Sequence, residues 1–234
     1  MNHRRIDWIC LFCLLAVGRL TPVAAQDGAE DVFETNVALG ATVTDGNSES
    51  VTSHFSVVSE GERKRLGSIR FGAEAAYGES TVDGRERTTI DNGKVFATAR
   101  KDLPERWFWG IEASAMYDQV AEIDSRAQLG LMGGRDLIVR PATELSVEAG
   151  PSYVWEDVGG ESDHYLALRI FERFEHELSE TARVWQSLEY IPQVEDFDNY
   201  LVNAELGLEA ALTADIDLRL VARDRYDNEP AAGA

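Results

Sequence analysis

Between Tyr200 and Leu212 the chain reads YLVNAELGLEAAL, and these residues sort into two rows by simple alternation. One row is Tyr200, Val202, Ala204, Leu206, Leu208, Ala210 and Leu212. The other is Leu201, Asn203, Glu205, Gly207, Glu209 and Ala211. A side-chain period of two puts the rows on opposite faces of a strand, one apolar throughout and one carrying carboxylates. At roughly 3.3 Å per residue the stretch spans about 40 Å. That exceeds most strands of soluble proteins and suffices for a tilted crossing of a bilayer.

The pattern recurs along the chain. It predicts strands over Phe33 to Thr44, Glu49 to Ser59, Ser68 to Gly78, Ile90 to Lys101 (weakly patterned), Trp107 to Tyr117, Arg126 to Val139, Thr143 to Trp155, His164 to Leu178, Thr181 to Ile191, Tyr200 to Leu212 and Asp215 to Tyr226. Between them lie turn signals: Asp45 to Ser48, the charged stretch Gly61 to Arg65, Thr81 to Arg87, Leu103 to Arg106, the acidic Glu156 to Asp163, and Glu195 to Asp198. Apolar residues recur at two rather than at three and four, so a helical reading fails. One strand with its turn takes about 19 residues, wider than the roughly 8–12 of small sandwiches and in keeping with membrane-length strands.

The N-terminus reads as a secretory leader. Arg4 and Arg5 form the charged region, Trp8 to Val17 the apolar one, and Val23-Ala24-Ala25 supplies small residues before a cut after Ala25. Residues 1–25 are thus expected to be removed, leaving 26–234 as a single domain. Cys10 and Cys13 both lie in the leader, so the mature chain has neither disulfide nor catalytic thiol. No run of 18 or more apolar residues follows it. The full chain carries 22 Lys+Arg against 42 Asp+Glu. Removing residues 1–25 takes away Arg4, Arg5, Arg19 and Asp7, leaving 19 against 41. So acidic a chain argues against nucleic acid as a partner, because that binding rests on neutralising phosphates.

The two faces differ in kind. The inward row carries charge at Glu74, Glu112, Glu148, Arg169, Arg173, Glu189, Glu205, Glu209, Arg219 and Arg223. Aromatics gather at strand ends: Tyr77, Trp107, Trp109, Tyr117, Tyr153, Trp155, Tyr190, Tyr200 and Tyr226. Tyr and Trp favour the headgroup level of a membrane, where ring and polar tip are each satisfied. The expected fold is all-β, an antiparallel up-and-down transmembrane β-barrel whose charged row lines the lumen. The bilayer and its lipids are then the partners. A soluble periplasmic or secreted β-domain, acting as a binding module with the charged row simply wet, is the competing reading. In the outward row of the eighth strand, Leu166, Leu168, Ile170 and Phe174 face lipid and Glu172 interrupts them.

Motifs for chemistry are sparse. His54 and Ser56 share a row and could form the dyad of a barrel lipid hydrolase, though a lumen pair is the simpler reading. Asp45, Asn47 and Glu49 alternate like hard-cation ligands, but no full calcium loop follows. Glu195, Asp196 and Asp198 could hold a surface cation, or form a solvated turn. No phosphate loop, zinc spacing or nucleophile elbow occurs. Neither an enzyme nor a cofactor or metal protein is expected.

Four stretches carry a resemblance: TDGNSES after the first strand, VEAGPSYVWED, QSLEYIPQVEDFDNYLVNAELGLEAALT and the terminal RDRYDNEPAAGA, of which YDNEP is the most specific. Together they resemble the YdiY-type family of salt-induced outer-membrane proteins. The resemblance implies an outer-membrane β-barrel of unknown activity in a Gram-negative envelope. Family members continue past YDNEP with a final strand ending in an aromatic residue, whereas this chain stops at Ala234. Single-chain bacterial barrels have even strand counts, so the expectation is a barrel of about 12 strands with the last one missing. Eight strands give a filled interior and sixteen or more an open channel. Twelve would enclose a narrow lumen: a narrow, porin-like pore for small ions with some cation preference, or a structural protein of envelope stress.

Overall fold

The computed structural model describes residues 14–20, 33–44, 48–63, 66–82, 85–213 and 217–230. Arg4 and Arg5 of the leader, its cut at Ala25, most of the Asp45–Ser48 turn, Asp83-Gly84 and the terminal AAGA lie outside them.

Twelve antiparallel strands form one sheet in which spatial order is sequence order. They are β1 (Leu14–Leu20), β2 (Phe33–Thr44), β3 (Ser48–Arg63), β4 (Gly67–Val82), β5 (Arg85–Asp102), β6 (Trp107–Asp118), β7 (Ile123–Arg140), β8 (Thr143–Val158), β9 (Glu161–Ser179), β10 (Ala182–Pro192), β11 (Tyr200–Ala211) and β12 (Asp217–Asp227). The eleven strands read from the sequence correspond to β2 through β12. The sheet curls so that β1 approaches β12, although among the described residues no ladder joins them. Up-and-down order needs only hairpins, the connection an antiparallel ladder makes most readily.

The strands overrun the predicted limits. The weak stretch at Ile90 to Lys101 is an 18-residue strand. The supposed acidic loop Glu156 to Asp163 is mostly ladder, turning only at Gly159 and Gly160, with Val158 paired to Glu161. Both glycines have positive φ, 61° and 78°. A two-residue turn that follows the twist of its strands requires this, and a glycine pair supplies it without strain. Most of Thr81 to Arg87 and the start of Gly61 to Arg65 are likewise strand. Alternation detects only the part of a strand with one apolar face, whereas backbone pairing continues past it between two polar faces.

One strand was read as something else. Leu14–Leu20, which begins in the apolar region of the leader and runs three residues past it, pairs with β2 from Leu14↔Ala41 to Leu20↔Thr35. It takes the place beside β2 that a missing twelfth strand was expected to leave empty.

The barrel is inverted relative to a soluble domain. Leu39, Val95, Leu131 and Leu206 on the outer face are each more than half exposed, while Arg169 on the inner face is 7% exposed. We call upper the rim with the connections 119–122, 159–160 and 193–199, and lower the rim with 103–106, 141–142 and 180–181. Near the upper rim Val154, Tyr165, Ala167, Ile191 and Leu201 form a small buried apolar cluster inside the lumen. Over it folds the 193–199 loop. Val194 donates its N–H to the Leu166 carbonyl at 2.8 Å, and Gln193 bridges to Ala167.

Candidate functional site

The lumen holds the chemistry of this molecule. Alternation sends every second side chain inward, and curvature brings together inward groups from strands distant in the sheet.

At the centre is Arg169 on β9. Its guanidinium contacts Glu148 of β8 at 2.5 Å, Glu189 of β10 at 2.5 Å and Glu112 of β6 at 2.7 Å. Two partners come from the flanking strands and the third from three strands away, so the arginine ties the wall across its own curvature. Asn203 donates to the other oxygen of Glu189 at 2.7 Å, and Gln128 to Glu112 at 3.4 Å. A planar fork of five N–H donors is the side chain able to satisfy three carboxylates at once.

A second knot centres on Arg223 of β12, which contacts Glu205 of β11 at 2.7 Å and Glu74 of β4 at 3.1 Å. Trp185 Nε1 donates to Glu205 at 2.6 Å. Nearer the upper rim, Arg126 of β7 holds Glu156 at 2.6 Å and Asp227 of β12 at 2.7 Å. Toward the lower rim, Arg183 joins Glu209 at 3.0 Å and Glu175 at 3.2 Å, and Arg173 reaches Glu175 at 3.1 Å. Arg100 bonds Asp136 at 2.7 Å. Because β12 reaches β4 and β7, the Arg223–Glu74 and Arg126–Asp227 bonds cross the lumen, whereas the other pairs join groups on the same or nearby strands of the wall.

Aromatic rings fill the space between the ion pairs. Three rings lie over a glycine paired with them on the next strand: Phe96 with Gly72, Phe108 with Gly134 and Trp185 with Gly207. A Cβ at those glycines would come within 2.8, 2.4 and 2.0 Å of the respective ring. Hydrogen in place of Cβ lets each ring lie flat against its neighbour. An arginine also lies over each ring: Arg70 at 4.8 Å from the Phe96 centroid, Arg100 at 3.7 Å from Phe108, and Arg219 at 4.6 Å from Trp185. These are cation–π distances. Glycine, ring and arginine thus form one unit, used three times.

The charged residues picked from the sequence therefore all face this interior. Glu112, Glu148 and Arg169 meet in one knot. Glu74, Glu205 and Arg223 meet in another. Glu209 and Arg173 join the lower pairs, and Arg219 stacks on Trp185. Sequence reading missed Arg126, although it opens the predicted strand Arg126 to Val139 in the same row as Gln128, and it missed Glu156 and Asp227, which lie one residue past the predicted ends of their strands. It also missed the lumen rings, whose sign was a large residue and a glycine in register on successive strands.

The strand-end aromatics gather mainly toward one rim. Tyr77, Tyr117, Tyr153, Trp155, Tyr190, Tyr200 and Tyr226 lie toward the upper rim, while Trp107 and Trp109 open β6 at the lower. Tyr190, Tyr200 and Tyr226 form a chain across β10, β11 and β12 with centroid separations of 5.5 and 5.9 Å. The YDNEP stretch gains a physical meaning here. Asp227 is the cross-lumen partner of Arg126, while Asn228 donates to the Asp198 carbonyl at 2.6 Å and accepts from the Tyr226 hydroxyl at 2.9 Å. It pins the 193–199 loop to the last strand.

The remaining candidates divide. His54 and Ser56 share the inner row of β3, but no hydrogen bond joins them. Asp45 and Asn47 lie outside the described residues. Asp196 caps its own turn, accepting from the Asp198 and Asn199 amides at 3.1 and 3.0 Å. Among the described residues no three groups are placed to hold a metal ion.

No curated protein matches the chain. A solved structure described as a bacterial polysaccharide outer membrane secretin superposes with a TM-score of 0.38 at 14% identity, over 92% of this chain and 93% of that one. The model of one protein family matches residues 37–234, from the middle of β2 to the last residue. With that match the chain belongs to the family described as "Protein of unknown function, DUF481".

Proposed function

We propose that this protein is an outer-membrane β-barrel whose lumen is closed by its own side chains, serving the envelope as a structural element rather than as a porin. The observation that carries the reading is the inversion of the molecule. A belt of exposed Leu, Val, Ile and Phe covers the outside beside an aromatic girdle toward the upper rim, and arginines with their carboxylates fill the inside. In water such an exterior would be an aggregation surface; in a bilayer it is the solvent-matched face.

Cross-lumen bonds from Arg169, Arg223 and Arg126 leave no ready path for a hydrated solute. The experiment is a gel of outer-membrane fractions, unheated and boiled, followed by planar-bilayer recording. The expected result is an outer-membrane band whose mobility changes on boiling, with no porin-sized conductance steps. A soluble periplasmic protein would overturn the membrane reading, and large stable steps would overturn the closed lumen. The resemblance to salt-induced proteins adds an envelope-stress role: the amount of protein should rise with external salt, and an unchanged amount removes that part.

A further inference from the structure

Glu172 is a carboxylate in the wrong place. On β9 it points outward between Ile170 and Phe174, and its partners across the ladder are Val147 on β8 and Leu188 on β10. Apolar side chains therefore surround it on all four sides of the outer face. Its hydrogen bond comes from Gln186 Nε2 on β10 at 2.8 Å. Among the described residues this is the single bond of either side chain. A carboxylate has about four acceptor sites, and a primary amide has a second N–H and a carbonyl. Facing hydrocarbon, those unused positions are costly.

We propose that a second copy of this chain docks on the β8–β11 face, with the Glu172–Gln186 pair at its centre. The pair is self-complementary. A two-fold axis through it sets the Gln186 amide of one copy against the Glu172 carboxylate of the other, twice over, as an isologous contact requires. Side chains around it favour close approach, since Ala149 and Pro151 on β8 and Ala204 on β11 are small. Within a membrane apolar contact alone gives no net drive to associate, so small residues and buried polar bonds supply it. The inference rests on the outer-membrane reading above.

The test uses the full chain folded in outer membranes, extracted in mild detergent and weighed by light scattering. Wild-type protein is expected at twice the mass of a Glu172→Leu/Gln186→Leu variant, which should itself stay heat-modifiable and so still be a folded barrel. In membranes, on a Cys10→Ser/Cys13→Ser background, Leu188→Cys should form an oxidative cross-link between copies. Phe55→Cys, on the far side of the barrel, should not. A membrane barrel of single mass, a variant that keeps the double mass, or equal cross-linking from both positions overturns the inference alone. Soluble protein removes the membrane reading along with it.

Discussion

Arg169 is a side chain whose loss the rest of the lumen cannot absorb. Its side chain is 8% exposed and those of its three carboxylates between 12 and 18%, so Arg169→Ala leaves three half-dry negative charges facing one another. Breaking a buried pair in this way costs about 3–5 kcal/mol. A fall in the temperature at which the unheated gel band converts to the boiled one would register it. Arg169→Lys should recover only part, because a compact ammonium, even with three donors, does not span the separated carboxylates that the broad guanidinium fork bridges. Any conductance that appears in Arg169→Ala should prefer cations, since Glu112, Glu148 and Glu189 would then line the opening; anion preference would contradict the assignment. Gly207 gives a second residue-scale prediction. A methyl group there would sit 2.0 Å from the Trp185 ring, so Gly207→Ala must push the indole off Glu205, at about 1–3 kcal/mol for an overpacked site. Changed tryptophan emission with the barrel still heat-modifiable would show the displacement, and unchanged emission would refute it.

At the scale of elements, the 193–199 loop is held at both ends, by Val194 on Leu166 and by Asn228 on Asp198. Asn228→Ala should release it, so limited proteolysis of the folded barrel should nick the variant within 193–199 and spare the wild type. Equal resistance would mean that the apolar cluster beneath suffices. This is also where sequence reading met its limit. The middle of each strand announced itself, because an apolar outer face and a charged inner face impose a period of two. The outer ends did not: Glu156-Asp157 and Glu161 to Asp163 are polar on both faces, and nothing in such a run distinguishes ladder from loop. The inward charges were legible one strand at a time. What they bond to was not. Register between neighbours would have paired Glu148 and Glu189 with the row of Arg169, but Glu112 arrives there through curvature, a property of no single strand.

For the whole molecule, the pair Glu74–Arg223 measures closure, since it bridges β4 and β12. Arg223→Glu should lower the conversion temperature by the loss of this bond and of Glu205. The double variant Glu74→Arg/Arg223→Glu should win back a part worth about 0.5–3 kcal/mol of coupling. No recovery would mean that the two walls do not meet in the folded protein. The strand order has a further consequence, one of timing. Each strand lies beside its predecessor in sequence, so the wall can be laid down hairpin by hairpin, with short loops to close at each step. The lumen bonds obey the opposite rule, Arg126 reaching Asp227 across 101 positions and Arg223 reaching Glu74 across 149. Arg223 and Asp227 both belong to the last strand laid down. Until it arrives, Arg126 and Glu74 lack these cross-lumen partners, so the same arginines and carboxylates that shut the finished barrel act as its completion latch, engaging only when the final hairpin is home.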